Sequence, residues 1–481
     1  MKKIISLILT ACFFMALPGL NSCSDNFLET KSSTDLSDKL VFKTTASTRG
    51  VLYGIYKYMR SWGCTPYVRM DCCGLHTNLL TYDVMASDIT VLQGSWYFYD
   101  YDYWHTGSET VFRTDHLWRF YYTVINNCNN ILFNLGDAEG PLSEKNAIEA
   151  ETKALRAFSY YNLVQLYQQT YQIAKDRQGV PVYTKPAEGK AESTPRSSVE
   201  KVYELITEDL EYAVKYLPAN RESKYYINTN VAEGILARVY MTMGRWSDAE
   251  QMAGLAKKGY PLMTAEQWTQ GFNDLNNPEW IWGIHQTAEQ NVGWGSSFSV
   301  LDFQRGDQKN FRINSKLAEK YASTDIRKTL IVPVGNLFGN RKFREPDALN
   351  LGQMVLMRSS EMCLIQAEAK ARQKEYTDAQ DFLFELQQKR DPQAKKSELE
   401  GDDLIDQILL ERRKELWAEG FGLFDLLRCQ KPLKREGDHT SIKNFPENSW
   451  SFIFQIPRSE LDVNKGIKAE DQNPTEGVLR K

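Results

Sequence analysis

The sequence predicts a mostly α-helical protein, a scaffold of tetratricopeptide-like helical hairpins carrying large irregular loop insertions and minor β structure. Three observations predict it. Four segments repeat apolar residues at spacings of three and four, the period of a helix with one buried face. The stretch ARVYMTMGRWSDAEQMA from Ala237 aligns without gaps to AEAKARQKEYTDAQDFL from Ala367, and both read as helix, short polar turn, helix. Two long stretches, Val41 to Glu109 and Lys258 to Met354, are instead rich in Gly, Asn, Asp and aromatic residues and read as irregular insertions.

At the N-terminus, Lys2 and Lys3 precede the apolar run IISLILTACFFMAL. A basic start and a short apolar run make a secretory signal, too short to cross a bilayer as a stable helix. Residues 1–22 are therefore set aside from the fold. The context LNSC, Leu20 to Cys23, resembles a bacterial lipobox, which predicts diacylglycerol transfer to Cys23 and a mature chain that starts there. The alternative is ordinary signal-peptidase cleavage with Cys23 incidental. Acyl chains at about 0.8 kcal/mol per buried CH₂ would hold the protein on a membrane without spanning it. Residues 23–40 are polar and read as a tether, and 41–481 as a single domain with an N-terminal part (41–217) and a C-terminal part (218–481).

The periodic segments lie at 117–135, 152–169, 198–217 and 230–244. Ser198 reads as the N-cap of the third, and Pro218 ends it. In the internal echo, Ala237 and Ala249 align with Ala367 and Ala379, and Trp246 aligns with Tyr376. Small Ala residues let antiparallel helices approach, while the aromatic residue wedges the turn. One such hairpin cannot bury both faces, so several must stack. Trp280 and Trp282 in PEWIWGIH alternate with Ile281 and read as a core strand.

The net charge of −4 comes from mixed signs, so the chain lacks a basic field for nucleic acid. Beyond Cys12 and Cys23 the cysteines are Cys64, Cys72, Cys73, Cys128, Cys363 and Cys429. The cluster CTPYVRMDCC could hold one disulfide, and buried free thiols suit the others. No C-x-x-C pair, H-E-x-x-H, G-x-S-x-G, Walker loop or calcium loop occurs, and the five His are scattered, so neither a metal nor a cofactor is expected, nor an enzyme. Glu411, Glu415 and Glu419 share one helical face, and beside Arg412, Arg413 and Lys414 they read as a structural ion-pair network. The remaining enzymatic reading is a helical-repeat glycoside hydrolase using Asp100 and Asp102.

The stretch GSWYFYDYDYWHT, 94–106, holds seven aromatic rings. As a strand it would put Tyr97, Tyr99, Tyr101 and Tyr103 on one face and Trp96, Phe98, Asp100, Asp102 and Trp104 on the other. Flat rings with polar tips suit the C–H faces and hydroxyls of sugars. The alternative is that some rings pack beneath the helices. Trp62 and Tyr67 in SWGCTPYVR, and Trp294 in QNVGWGSS, lie in the same insertions beside Gly or Pro.

The segment LLERRKELWAEGFGLFDLLR, Leu409 to Arg428, resembles the C-terminal signature E-R-R-x-E-L-x-x-E-G-x-R-x-x-D-L-x-R-W of the SusD/RagB family of outer-membrane nutrient-binding lipoproteins. CSDNFLE, LRAFSYYNLVQLY with GVPVY, LARVYMTMGRWSDAEQMA, RSSEMCLIQAEAKARQKEYTDAQDFLFELQQKR and IPRSELDVNKGIKAEDQNP resemble further family blocks in the same order. Gly422 stands where the family usually has Arg, removing a charge partner for Asp425 or Glu419, and Cys429 stands where it usually has Trp. The resemblance implies four hairpins on one side and a ligand surface of inserted loops on the other. It also implies a lipid-anchored, surface-exposed protein on the outer membrane that delivers glycans or oligosaccharides to a SusC-like TonB-dependent barrel. Peptide capture on the same scaffold is the alternative. The implied ligand residues are Trp62, Tyr67, Trp96, Tyr97, Tyr99, Tyr101, Trp104 and Trp294, joined by Asp302 and Arg305 from comparable family insertions.

Overall fold

Residues 41–187, 193–289, 291–346 and 351–475 are described by a computed structural model. The signal segment, Cys23 and the tether lie outside the described residues. The first stretch read as irregular opens instead on helix α1 (Thr45–Met59), started by a capping box. The Thr44 hydroxyl accepts from the Ser47 N–H and the Ser47 hydroxyl from the Thr44 N–H, each at 3.1 Å. Helix α2 (Leu75–Val84) follows and is buried nearly all round, with Thr77, Asn78 and Thr81 inside beside its apolar residues. A helix without a solvated side has no apolar stripe, so its period is invisible in the sequence.

The periodic segments form α3 (Phe112–Asn134), α4 (Leu142–Tyr167), α5 (Val199–Tyr216) and α6 (Thr229–Met243). Ser198 caps α5 by accepting from the Lys201 N–H at 3.2 Å. The echo forms two hairpins, α6 with α7 (Trp246–Ala256) and α8 (Ser359–Arg372) with α9 (Tyr376–Arg390), and α7 packs on α8. Ala237, Ala249, Ala367 and Ala379 are all fully buried, so no side chain holds the paired helices apart. Successive packing of α3 on α4, α4 on α5 and α5 on α6 extends the layer. Then α10 (Gly401–Glu415) packs on α8, and α11 (Gly422–Arg428) on α2.

Little of the chain is strand. Strands β1 (Ile89–Val91), β3 (Phe311–Ile313), β4 (Ile331–Val334) and β5 (Leu337–Asn340) form an antiparallel sheet in the order β1-β3-β5-β4. Ile89 sits opposite Ile313, which ties the two insertions together. Strands β2 (Trp280–Ile284) and β6 (Met354–Arg358) pair separately, with Trp280 and Trp282 buried as the alternation predicts.

The glutamates of α10 and its C-terminal turn do form an ion network, but most partners come from distant segments. Glu415 accepts from Arg327 at 2.8 Å, Arg358 at 2.7 Å and Arg390 at 2.9 Å. Glu419 accepts from Lys342 and Arg358, and Glu411 pairs with Arg327 at 2.6 Å. These groups are buried, so every charge needs its partner. The absent Arg at 422 leaves neither expected carboxylate alone, since Asp425 pairs with Arg412 and Arg428. A Cβ on Gly422 would stand 2.7 Å from the Ala86 Cβ, so glycine allows α11 to abut the end of α2.

Candidate functional site

The aromatic stretch 94–106 is not a strand. Phe98–Tyr101 make one helical turn, and Tyr103 then takes a left-handed backbone, φ 61°. The chain curls, and its rings sort by a helical rather than an alternating rule. Tyr97 and Tyr101 are four residues apart and buried at 2% and 0% exposure, as is Tyr103. This corrects the expectation that Tyr97 and Tyr101 touch a ligand: Tyr97 packs edge-on against Phe311, and the Tyr101 hydroxyl hydrogen-bonds His439 Nδ1 at 2.8 Å. Trp96, Tyr99 and Trp104 face outward at 38%, 48% and 48% exposure.

Those outward rings continue across the surface. Tyr99 and Trp104 meet edge to face, centroids 5.6 Å apart, and Tyr99 also contacts His105, which packs on Phe112. The guanidinium of Arg69 lies against Phe112 and Trp96, 3.8 Å from the first ring centre and 4.6 Å from the second. Beyond Arg69, Cys73 donates its thiol hydrogen to the Arg69 carbonyl at 3.2 Å. A Cβ on Gly295 would intrude on that sulfur and stand 3.0 Å from the Trp62 ring. Trp62 therefore lies over Gly295, next to Trp294, the most exposed of these tryptophans. Trp62 and Trp294 are thus linked through Cys73 and Arg69 to Trp96, Tyr99 and Trp104, and these five exposed rings are together called the platform, with Tyr67 5.9 Å from Phe112.

A buried charge cluster holds the platform from beneath. Arg113 on α3 donates to Asp100 at 3.0 Å and to Asp71 at 2.6 Å, and Asp71 also accepts from Arg69 at 3.0 Å. Burial pushes the Asp100 carboxyl up, but Arg113 and His105 outweigh it and hold it at about 2. Asp100 is fully engaged, and Asp102 pairs elsewhere with Lys443 at 3.2 Å, so the two do not form a pair of carboxylates free for acid and base work. Burial and then the bond to Asp115 push the Tyr67 hydroxyl up to about 12, so it donates to that carboxylate, at 2.9 Å.

Asp302 also needs correction as a ligand contact. It is 3% exposed and its oxygens accept the N–H groups of Gln304, Arg305 and Glu345 at 2.9, 3.0 and 2.9 Å, which shapes the loop. Arg305 is exposed and donates to the Glu345 carbonyl at 3.3 Å. Sequence reading missed Arg69, Phe112 and Gly295. The signals were an arginine inside an aromatic run and the second glycine of GWG. Cys64, Cys72 and Cys73 are free thiols here, and burial pushes all three up. Among the described residues, no group of His, Cys, Asp or Glu is placed to hold a metal, and no helix is long and apolar enough to cross a membrane.

Comparison with known proteins places the fold. Residues 74–241 match the family described as starch-binding associating with outer membrane, and residues 346–475 match the SusD family. A solved SusD-like carbohydrate binding protein from Bacteroides vulgatus is 30% identical over 92% of this chain and 100% of its own, with a TM-score of 0.82. The chain belongs to the SusD family. Among relatives, SusD-like protein P2 of Formosa agariphila is 25% identical over 74% of this chain and 76% of its own. A SusD superfamily structure from Bacteroides thetaiotaomicron, 23% identical over 90% of this chain and 100% of its own, shares the fold with a TM-score of 0.79. The platform of this SusD-family chain thus sits on the insertions, opposite in role to the α6–α9 hairpins that build the scaffold.

Proposed function

We propose that the protein is a non-enzymatic lipoprotein of the outer membrane that binds glycans or their oligosaccharides on this platform and passes them to a SusC-like TonB-dependent barrel. Cys23 carries the lipid, 23–40 is the tether, and 41–481 acts as one binding unit. The observation that carries the reading is the set of exposed rings, Trp294, Trp62, Trp96, Tyr99 and Trp104, with the buried Arg113–Asp100–Asp71 cluster anchoring the 96–104 segment and Arg69. Rings fixed before binding lose little freedom when a sugar stacks on them, and polar groups beside them supply direction. Arg69 is a charged side chain in contact with that surface.

Titrating the anchor-free protein with a panel of polysaccharides while following tryptophan fluorescence tests it. The expected result is a saturable change that Trp96→Ala and Trp294→Ala abolish. A response to peptides alone would replace glycans with peptides as cargo, and release of reducing ends over time would make the protein an enzyme. Co-purification with an outer-membrane barrel, lost in Cys23→Ala, tests the anchor and the partner.

A further inference from the structure

A sizeable concavity bordered by described residues lies away from the platform. It lies ten residues further along α3 and has a volume of about 460 Å³, inside the roughly 300–1,000 Å³ range of small-ligand sites. One helix face joins the two places. Phe112, Asp115, Arg119, Tyr122 and Asn126 follow one another at three, four, three and four residues, so they line up along α3. At 1.5 Å per residue, Tyr122 is about 15 Å from Phe112. Between them Asp115 accepts from Tyr67 at 2.9 Å and from Arg119 at 2.5 Å, which bridges the platform to the cavity mouth.

The cavity has apolar walls and a mixed polar rim. The half-buried rings of Tyr122 and Tyr183 stand 5.7 Å apart, and Trp118 lies behind Tyr122 at 4.8 Å. Glu460 accepts from two neutral donors, the Trp118 indole at 3.2 Å and the Asn464 amide at 2.8 Å, and no cation pairs with it among the described residues. Lys185 is exposed and has no carboxylate partner among them either. The Asn126 side-chain oxygen accepts from the Ala187 N–H at 2.9 Å, so its NH₂ group remains as a donor. A small anion in this space would meet Glu460, and a small cation would meet Lys185. A sugar ring matches all of it, because hydroxyls donate and accept while the C–H face is apolar.

We propose that this cavity is a second saccharide site, taking one neutral pyranose residue, and that a single glycan chain passing over Arg119, the exposed residue of this α3 row, engages both it and the platform. The spanning half of the proposal rests on the platform being a glycan site; the cavity half does not.

Crystals soaked separately with glucose, galactose and mannose test it, alongside crystals of Val463→Trp. Val463 is 56% exposed at the rim, so a larger ring there fills the mouth and leaves the core alone. The expected result is a pyranose against Tyr183 with hydroxyls at Lys185 and Glu460, absent from Val463→Trp. In solution, Trp96→Ala protein should still show saturation transfer to the bound sugar, and Trp96→Ala/Val463→Trp should lose it. An empty cavity with all three sugars, or saturation transfer unchanged in the double variant, overturns the proposal. Sugar at Trp96 but not in the cavity removes this site alone. Sugar in the cavity but not at Trp96 upholds the site and removes the platform.

Discussion

Arg69 packs on Trp96: its guanidinium carbon lies 4.6 Å from the centre of that exposed ring and 3.8 Å from the centre of Phe112. The side chain is directed by Asp71, which Arg113 also holds, so the contact is anchored to the buried cluster. Arg69→Ala removes a cation–ring contact of about 0.5–1 kcal/mol and frees Trp96, while Asp71 keeps Arg113. The expected outcome is a several-fold loss of glycan affinity with little change in Tm. Arg69→Lys keeps the charge but not the plane and should fall between. Affinity equal to wild type in Arg69→Ala would remove Arg69 from the site.

Gly295 sets how close Trp294 and Trp62 come. Its α-carbon faces the Cys73 sulfur and the Trp62 ring, and a methyl there has no room, with Trp62 at 3.0 Å. Gly295→Ala should displace Trp62, cost about 1–3 kcal/mol as other overpacked sites do, and abolish binding at the platform. Gly335→Ala, at an open turn with no neighbour within 4 Å but a φ of +61°, is the control for backbone strain alone. It should lower stability without touching affinity. Urea midpoints and ligand titrations of both variants separate the two effects.

The scaffold was legible because hairpins repeat. The Ala237/Ala367 and Ala249/Ala379 matches survive as buried contacts, and Ser198 caps the helix it was expected to cap. Helix α2 was not legible, since burial on every side erases the stripe that a period search needs. The rings of 94–106 were recognised as unusual but sorted wrongly, because the turn at Tyr103 cannot be read from residue types. Residues of the platform that come from α3, such as Phe112, were invisible for another reason. They carry no local signal and join the site only when the insertion folds back on the helix.

Asp83 should make stability depend on pH in an unusual sense. Its carboxyl is buried at the N-terminus of α11 and accepts the Gly420 and Gly422 N–H groups at 2.6 and 2.7 Å. Burial raises it further than these donors lower it, to about 7 from an ordinary 3.8. The folded state therefore holds a proton that the unfolded state has lost between about pH 4 and 7. Stability from this group falls as pH rises through that window and is level above it, by a few kcal/mol at most. Asp100 and Glu411, both held at about 2, act oppositely and lower: what they contribute above about pH 4 is lost as pH falls toward 2. Asp83→Asn has no proton to release. The difference in urea stability between wild type and Asp83→Asn should shift steadily toward the variant from pH 4 to 7, and a constant difference would show that Asp83 is ionised throughout.

The two echoing hairpins make one further comparison possible. Gly244, after α6, has φ +77°, and Lys374, at the matching place after α8, has φ +65°. The same left-handed turn is thus made once by glycine and once by a residue with a side chain, at a cost of roughly 1 kcal/mol for the latter. Lys374 offers nothing in return that its backbone does not, since the hydrogen bond from its N–H to Ala371 at 3.0 Å would persist in glycine. Lys374→Gly should therefore raise stability by about 0.5–1 kcal/mol, less than the full strain because glycine gains freedom when unfolded. Gly244→Lys should lower it by a similar amount or more, since a Cβ there would press on the Gln172 amide at 3.3 Å. Thermal and urea unfolding of the two variants read both changes, and neither should alter ligand binding, because both turns belong to the scaffold. A destabilised Lys374→Gly would mean that the lysine side chain holds the turn by a contact worth more than the strain it carries.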